Sequence, residues 1–303
     1  GVRIINCARG GLIVEEDLKA ALEAGEIAGA GLDVFPVEPA KTNILFGRDE
    51  VICTPHLGAA TGEAQENVAL QVAEQIADFL LTGAVVNAVN TTSVSAEDAP
   101  KLKPYMRLAT CLGSFLGQIV ETNVKSIAVE YEGHVAALNV KPLTACALAG
   151  VLGSQLESVN MVNAPAVARE RDIAVTETRH DRASDYHSLI RLTIESDDRT
   201  RRIAGSVFGV DKVRIVSIED IPVEADFGPY MLYTRNQDKP GFIGNLGRTL
   251  GDAGVNIATF HLGRTAPGAD AICLVTVDQP LSEAVLAKVR AIPLVVKARA
   301  LRF

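Results

Sequence analysis

Short apolar runs alternate with mixed segments over the first part of the chain. Apolar residues dominate positions 2–6, 28–34 and 51–54, and each run has the length of a buried β-strand. Between the first two runs, residues 15–24 place Leu18, Ala21 and Leu22 on one helical face, and Gly25 follows as a terminator. Strand, helix and strand in this order, joined by short loops, predict a parallel sheet of the βαβ type.

A longer helix and a polar linker follow. Residues 61–81 repeat an apolar side chain at every fourth position, namely Ala64, Val68, Val72, Ile76 and Leu80. This spacing predicts one long helix with an apolar stripe, long enough to cross to another lobe. Residues 87–95 are mainly polar and mark the first clear domain boundary.

The remainder of the chain changes its pattern twice. Residues 96–226 mix helical segments with runs of alternating apolar and polar side chains, which predicts an α+β domain with a turn at 132–133. Residues 229–303 predict strand, helix, strand, strand, helix and strand in succession. This βαββαβ order is the ferredoxin-like arrangement.

The composition narrows the class of protein. Apolar residues make up 48% of the 303 residues, and no apolar run approaches the length of a transmembrane helix. The net charge of −8 argues against a nucleic-acid partner, since phosphate binding favours a basic surface. The five cysteines are widely spaced without a CxxC pair, and there is no secretory signal. We therefore expect free thiols in a cytoplasmic protein that has no membrane partner.

Three polar residues stand just beyond the predicted strands. Arg9 follows the first run, Glu38 the second and His56 the third. Taken singly, Arg9 is either an anion ligand or a solvated strand-end residue, while Glu38 and His56 are ordinary loop and structural residues. The carboxyl ends of parallel strands meet at one edge, however, where such sheets bind their ligands. A histidine paired with a carboxylate suits proton transfer near neutral pH, and an adjacent arginine suits a carboxylate substrate.

The same loops carry a family resemblance. Asn-Cys-Ala-Arg-Gly-Gly at 6–11, Gly-Leu-Asp-Val-Phe at 31–35 with Glu-Pro at 38–39, and Thr-Pro-His-Leu-Gly-Ala at 54–59 resemble the Arg, Glu and His signatures of the D-2-hydroxyacid dehydrogenases. The resemblance implies an α/β fold that contains the C-terminal part of a Rossmann-type parallel sheet. It also implies three catalytic roles: Arg9 binds the substrate carboxylate, His56 is the general acid and base, and Glu38 is the partner of His56.

The resemblance further implies NAD as the cofactor and no metal. Asp33 would meet the nicotinamide carboxamide, and the backbone of Cys7 and Ala8 would line the nicotinamide ring. The full set of residues expected at the cofactor is Cys7, Ala8, Arg9, Asp33, His56, Gly58 and Ala59.

The rest of the chain points to one branch of that family. Residues 235–241 and 254–257 are similar to an ACT regulatory domain, and the preceding segment resembles an intervening domain of the allosteric-substrate-binding type. Both occur in long-form members that oxidise 3-phosphoglycerate in the first step of serine biosynthesis, as homo-oligomers held through the ACT and nucleotide-binding domains. The expected division is 1–60 for the end of the NAD-binding domain, 61–92 for the crossing helix and the return to the substrate-binding lobe, 93–226 for the intervening domain and 227–303 for the ACT domain.

The ACT resemblance implies a site for an L-serine effector in the first loop of that domain. The matching positions are Asn236, Asp238 and Asn256. Asp238 suits the ammonium group of a zwitterion, and the start of the following helix suits its carboxylate. The alternative is turn chemistry without a ligand, because Asn, Asp, Pro and Gly are the usual turn formers.

Basic residues cluster in the middle domain, and the sequence allows two interpretations of this cluster. They form either a site for a phosphate or phosphorylated effector or a solvated strand face. The residues concerned are Arg179, His180, Arg182, Arg201, Arg202, Lys212 and Arg214.

One departure from the family limits the expected activity. The glycine-rich dinucleotide fingerprint and the N-terminal substrate lobe are not found in the 303 residues, and the chain opens with Gly1. We expect a piece of a longer polypeptide that by itself binds NADH weakly and turns over little. Two alternatives remain: another 2-hydroxyacid dehydrogenase, such as a glyoxylate or hydroxypyruvate reductase, or a regulatory module that senses serine without catalysis.

Overall fold

The computed structural model describes residues 1–180 and 185–303, and these residues separate into two compact units, 1–80 and 81–303. The helices are α1 Glu15–Glu23, α2 Gly62–Thr82, α3 Ala99–Ile119, α4 Lys141–Gly153, α5 Ala164–Glu170, α6 Phe242–Asp252 and α7 Glu283–Arg290, with a 3₁₀ helix at His134–Ala137. The strands are β1 Val2–Asn6, β2 Ile27–Leu32, β3 Val51–Cys53, β4 Val124–Gly133, β5 Ala174–His180, β6 Ser188–Ser196, β7 Thr200–Phe208, β8 Lys212–Ile218, β9 Ile221–Asp226, β10 Tyr230–Gln237, β11 Ile257–Arg264, β12 Asp270–Val277 and β13 Val295–Arg302. Within the described ranges, none of the helices is both long and apolar enough to cross a membrane.

The first unit contains the predicted parallel sheet, with β1, β2 and β3 side by side in that order. Asn6 pairs with Leu32, and Leu32 pairs with Cys53, so the last residues of the three strands lie in one row. The loops that follow these strands therefore leave the sheet at the same edge. This is the edge at which the sequence predicted a site.

Helix α1 covers one face of this sheet. Leu18 and Leu22 of the helix pack with Leu32 of β2 and with Leu45 in one apolar cluster. Three acidic side chains occupy the first turn of α1, where they interact favourably with the helix dipole. Gly25 follows the helix with a φ of 72°, a conformation that glycine adopts without a Cβ penalty.

Helix α2 confirms the helix predicted for 61–81, but its apolar stripe is uncovered. The structure describes all 21 residues of α2 and finds none of them buried. Val68, Ile76 and Leu80 are 53%, 54% and 75% exposed. The i+4 spacing predicted the helix correctly, whereas it carried no information about what covers the stripe.

The second unit contains a six-stranded sheet in the order β5-β4-β6-β7-β8-β9, which confirms the α+β prediction. Strand β4 extends through the turn predicted at 132–133, and the chain changes direction at the last residue of the strand, Gly133, which has a φ of 73°. Glu132 pairs with Leu189 and Gly133 with Ser188, and the 3₁₀ helix follows at His134. Strand β9 was not predicted.

Helices α3 and α4 pack closely against each other in this unit. A Cβ on Gly113 of α3 would lie 2.2 Å from the carbonyl oxygen of Ala147, and one on Gly150 of α4 would lie 2.4 Å from that of Thr110. Only glycine fits such backbone contacts. The two glycines therefore set the distance between the helices.

The last part of the chain has the predicted ferredoxin-like topology. Its four strands are ordered β11-β12-β10-β13, and α6 and α7 pack on one face of this sheet. The other face shares a core with the preceding domain, where the ring of Tyr233 lies edge-on to Phe115 of α3 with centroids 5.6 Å apart. At a second contact, a Cβ on Gly263 of β11 would lie 2.2 Å from the carbonyl oxygen of Pro222 in β9. The sequence did not predict this shared core.

Candidate functional site

The loop after β1 is shaped by the side chain of Asn6. Its Nδ2 donates to the carbonyl oxygen of Arg9 at 3.0 Å, and its Oδ1 accepts from the backbone N–H of Ala8 at 3.1 Å. Asn6 is buried, whereas Arg9 is exposed and donates from Nη1 to the carbonyl oxygen of Ala8 at 2.7 Å. The buried amide thus folds a tight loop that presents a guanidinium at the sheet edge. The sequence analysis did not identify this role of Asn6, although an Asn that ends a strand before a glycine pair is a recognisable turn signal.

Gly10 brings this loop against the loop after β2. A Cβ at position 10 would lie 2.0 Å from the carbonyl oxygen of Phe35 and 2.5 Å from the backbone nitrogen of Pro36. Such distances are shorter than any real Cβ contact, so only glycine permits the approach. The second loop carries Glu38. The pKa of Glu38 is lowered first by the Phe35 N–H and His56, and to a smaller extent by the charge of Arg9.

Glu38 is held by two different donors. Its Oε1 accepts from the backbone N–H of Phe35 at 2.9 Å, and its Oε2 lies 2.6 Å from Nδ1 of His56. The Phe35 N–H, the bond to His56 and the charges of His56 and Arg9 together hold the pKa of Glu38 below its usual value. Glu38 is therefore a fixed carboxylate, and its pairing with His56 is the arrangement that the sequence predicted.

His56 occupies an unusual backbone conformation. Its φ is +58°, the left-handed region that side chains other than glycine rarely adopt. The imidazole uses Nδ1 for Glu38, so the proton on the neutral ring is assigned to Nδ1 and the lone pair to Nε2. The side chain is 42% exposed, so Nε2 is the ring nitrogen left for a substrate.

Asp33 lies beneath this turn and is 5% exposed. Its Oδ1 accepts from Thr54 Oγ1 at 2.6 Å and from the N–H of Leu57 at 2.8 Å, and its Oδ2 accepts from the N–H of Gly58 at 3.0 Å. The Thr54 hydroxyl and then the Leu57 N–H are the main causes that lower the pKa of Asp33. The residue predicted to meet nicotinamide thus already accepts three internal hydrogen bonds. The sequence analysis did not identify Thr54.

A cavity of about 600 Å³ opens beside the His56–Glu38 pair. Besides these two residues its walls are mainly apolar, formed by Phe35, Pro39, Ala40, Phe46, Cys53, Thr54 and Pro55. Burial raises the pKa of the Cys53 thiol, so this cysteine is protonated near neutral pH. The cavity therefore offers a mainly apolar wall beside the His56–Glu38 pair rather than a second charged site.

The remaining residues expected at the cofactor are small and lie at the same edge. Cys7, Ala8, Gly58 and Ala59 are all exposed. The N–H of Gly58 is occupied by Asp33, so it is not free to donate to a ligand. These four small residues leave open surface near His56 at the sheet edge.

The three residues predicted for an effector are placed differently from one another. Asp238 lines a cavity of about 660 Å³ together with the start of α6 and Arg264. Asn236 is 1% exposed within β10, and the Nδ2 of Asn256 donates to Asp278 at 2.7 Å. Asn236 and Asn256 are not among the described residues that line this cavity. Alternation along β10 explains the burial, because Asn236 points to the same face as Leu232 in the helix-covered core.

Asp238 is also engaged within the chain. Its Oδ2 accepts from Arg264 Nη1 at 2.6 Å and from the N–H of Gly268 at 3.0 Å. The Gly268 N–H and then Arg264 lower the pKa of Asp238. A ligand in this cavity would therefore meet an ion pair rather than a lone carboxylate.

Several basic residues of the middle domain have carboxylate partners. Arg201 is buried and bonded to both oxygens of Asp198, at 3.1 and 2.8 Å. Arg202 lies 2.9 Å from Asp220, and Arg214 lies 2.9 Å from Asp226. His180 lies 3.8 Å from Glu130. This pairing favours a structural interpretation over an anion site; Arg182 lies outside the described residues.

Family models match three parts of the chain. Residues 1–58 match the D-isomer specific 2-hydroxyacid dehydrogenase, NAD binding domain. Residues 101–219 match the D-3-phosphoglycerate dehydrogenase intervening domain, and residues 230–294 match the ACT domain.

Curated relatives match nearly the whole chain. The D-3-phosphoglycerate dehydrogenase of Bacillus subtilis (strain 168) is 39% identical over 302 residues, which are 99% of this chain and 57% of that protein. The protein of the same name from Synechocystis sp. (strain ATCC 27184 / PCC 6803 / Kazusa) is 40% identical over 289 residues, 95% of this chain and 52% of that protein. The chain therefore spans about half the length of these curated relatives.

Among solved structures, a D-isomer specific 2-hydroxyacid dehydrogenase from Xanthobacter autotrophicus Py2 in complex with NADPH and MES is 37% identical. The overlap covers 32% of this chain and 38% of that one, with a TM-score of 0.25. The fold of residues 1–58 is a parallel α/β sheet with a His–carboxylate pair at its carboxyl edge. The chain thus carries, in order, sequence of the NAD binding domain of the D-isomer specific 2-hydroxyacid dehydrogenases, the D-3-phosphoglycerate dehydrogenase intervening domain and an ACT domain.

Proposed function

We propose that this chain is the acid–base and regulatory part of an NAD-dependent D-3-phosphoglycerate dehydrogenase. That enzyme oxidises 3-phospho-D-glycerate to 3-phosphohydroxypyruvate, the first step of L-serine biosynthesis. The observation that carries the proposal is the 2.6 Å contact between His56 Nδ1 and Glu38 Oε2, at the edge from which Arg9 also emerges. The names of the curated relatives support the choice of substrate.

His56 is the proton acceptor in this proposal. Its Nδ1 is committed to Glu38, so Nε2 takes the proton of the C2 hydroxyl as the C2–H bond breaks and the carbonyl forms. Glu38 stabilises the imidazolium that results, and it is itself kept ionised by the Phe35 N–H. General acid–base help of this kind contributes about 10²–10⁴-fold to a rate.

Arg9 holds the substrate carboxylate. Its guanidinium is exposed, and of its N–H groups Nη1 is directed to the carbonyl oxygen of Ala8. The remaining N–H groups match the two oxygens of a carboxylate. A carboxylate bound there would place the neighbouring hydroxyl carbon near His56.

The residues at this edge fit a nicotinamide ring. Ala8, Gly58 and Ala59 are small and exposed, which leaves room for a flat group beside His56. Asp33 accepts three hydrogen bonds and, as a carboxylate with about four acceptor positions, has room for one more from a carboxamide. When bound, NAD supplies the hydride acceptor.

The test is a steady-state assay of NADH formation from 3-phosphoglycerate by the full-length gene product. We expect His56→Asn to lower kcat by about 10²–10⁴-fold, because the asparagine amide is not a base and cannot take the hydroxyl proton. Arg9→Lys should mainly raise the KM for 3-phosphoglycerate, since lysine does not form the two-pronged contact. The exposed Asp49→Asn is the matched control and should behave as wild type. Wild-type kcat/KM in His56→Asn would refute the assignment.

The alternative functions give different results in the same assay. A glyoxylate or hydroxypyruvate reductase would show a higher kcat/KM for those substrates with NADH than for 3-phosphohydroxypyruvate. A regulatory module would turn over none of them and would still bind L-serine in a calorimetric titration.

An effector site in the ACT domain is the second part of the proposal. The cavity of about 660 Å³ at Asp238 lies beside the start of α6, whose dipole favours a carboxylate. Arg264 and Asp238 present both charges there, which suits an amino-acid zwitterion such as L-serine. A homo-oligomer joined through the ACT and nucleotide-binding domains, in the cytoplasm, completes the proposal; the five free cysteines agree with a reducing compartment.

A further inference from the structure

We propose that Asp33 is a positioning residue that holds the backbone of His56 in the conformation that presents its imidazole to Glu38. The effect of Asp33 on catalysis rests on the proposed function. Its effect on the conformation of His56 does not. Asp33 thus has a task that is complete without any cofactor.

The contacts of Asp33 bracket His56 on both sides. Thr54 Oγ1 precedes the histidine by two residues and donates to Oδ1 at 2.6 Å. The N–H groups of Leu57 and Gly58 follow the histidine directly and donate at 2.8 and 3.0 Å. Two successive N–H groups that converge on one anion form a concave backbone nest. A single buried carboxylate therefore fixes the residues on either side of His56.

The conformation of His56 needs such an anchor. Its φ of +58° is unfavourable for a side chain with a Cβ, and backbone of this kind persists only where the surroundings over-determine it. Asp33 is itself fixed, because it directly follows β2 and its N–H donates to the carbonyl oxygen of Asn6 at 3.0 Å. Asp33 therefore links the turn at residues 54–58 to the sheet through hydrogen bonds.

Glu38 does not depend on this anchor. Its Oε1 is held by the N–H of Phe35, in the loop after β2. Loss of Asp33 should therefore leave the carboxylate in place and move the imidazole away from it. The result would be a separation of the His56–Glu38 pair without the removal of either member.

A carboxylate is needed rather than an amide. Asn at position 33 has one acceptor oxygen and a donor NH₂ group, so it cannot accept from both Oδ positions. One of the N–H groups of the turn would then face another donor and lose its partner. The charge on Asp33 also strengthens all three hydrogen bonds, which agrees with the lowered pKa of its carboxyl.

The first experiment is a nitrogen-15 NMR measurement of the His56 side chain in the chain without cofactor. In wild type we expect the Nδ1-protonated pattern with Nδ1–H bonded to Glu38. Asp33→Asn should remove that signature, and Thr54→Val should weaken it. Thr54→Ser keeps the hydroxyl and should restore it, while the exposed Asp49→Asn should leave it unchanged.

The second experiment measures kcat and KM in the full-length gene product. We expect Asp33→Asn to lower kcat by about 10²-fold through misplacement of the base, with the KM for 3-phosphoglycerate nearly unchanged because Arg9 is untouched. Thr54→Val should shift kcat in the same direction by less. If Asp33→Asn does not fold, the pair Thr54→Val and Thr54→Ser carries the comparison.

The two proposals fail in different ways. If His56 in folded Asp33→Asn and Thr54→Val gives the wild-type nitrogen-15 pattern, Asp33 does not position it and the inference is wrong. If that pattern changes as expected but wild-type full-length protein oxidises no 2-hydroxy acid, the positioning stands and the proposed function fails. Because the NMR measurement is made without cofactor, a contact between Asp33 and nicotinamide cannot produce its result.

Discussion

Gly10 lies so close to Phe35 that a Cβ on the glycine would be 2.0 Å from the carbonyl oxygen of the phenylalanine. This contact joins the loop that carries Arg9 to the loop that carries Glu38. The two loops are separated by α1 and β2 in the sequence. The geometry of the candidate site therefore depends on a position that bears no side chain.

Gly10→Ala should destabilise the first unit and separate these loops. The clash is with backbone atoms, which cannot move aside cheaply, and we expect a loss of about 1–3 kcal/mol in the free energy of unfolding. Urea denaturation followed by amide hydrogen exchange in β1 and β2 measures it. Gly62→Ala in α2 is the matched control, because a Cβ there meets no atom of the described residues within 4 Å. Equal stability of the two variants would contradict the argument.

Glu38→Gln should lower the stability of the first unit in a pH-dependent way. The folded-state pKa of Glu38 is below its ordinary value of 4.5, chiefly because of the Phe35 N–H and His56. Its contribution to stability is therefore present above pH 4.5 and is lost as the pH falls through the lowered pKa. Thermal midpoints measured at descending pH should show the wild type and Glu38→Gln converging in acid.

The exposed Glu66→Gln in α2 is the control for that experiment, and its midpoint should follow the wild type at every pH. A difference between Glu38→Gln and wild type that stays constant down to strongly acidic pH would show that the carboxylate is not selectively stabilised in the fold.

Gly113→Ala and Gly247→Ala should change stability in opposite directions. A Cβ on Gly113 would lie 2.2 Å from the carbonyl oxygen of Ala147 and would push α3 from α4, at a cost of about 1–3 kcal/mol. Within the part of the chain that the structure describes, a Cβ on Gly247 of α6 meets no atom within 4 Å, so alanine should add up to about 1 kcal/mol through helix propensity. Chemical denaturation of both variants tests this. Stabilisation by Gly113→Ala would refute the close packing.

Asp238→Asn should weaken L-serine binding more than Asn256→Ala does. Asp238 lines the cavity and carries the charge that an ammonium group would meet, so its loss should reduce the affinity about tenfold or more. Asn256 donates to Asp278 instead, and its truncation should change the affinity by less than about twofold. Isothermal titration of both variants makes the comparison. The reverse order would favour Asn256, rather than Asp238, as the main ligand among the three residues predicted from the sequence.

The sequence by itself determined the elements and the composition of the candidate site. Apolar runs, a helical face and the order of turns predicted the parallel sheet, α2 and the ferredoxin-like topology, because each of these follows from the spacing of neighbouring residues. The positions of Arg9, Glu38 and His56 after three successive strands predicted that they would share an edge. The 2.6 Å contact between Glu38 and His56 agrees with that prediction.

Only the tertiary structure decided the roles that depend on distant partners. Asp33 meets Thr54 across two strand ends, Asn236 is buried beneath helices, and the ferredoxin-like sheet shares a core with α3. The Asp33–Thr54 contact and the shared core join residues far apart in the chain, so no local pattern encodes them. Alternation along β10 sets the face on which Asn236 lies, but only the packing of α6 and α7 buries that face. Local spacing determines which way a side chain points from its own strand or helix, whereas the partner it meets is set by how those elements pack.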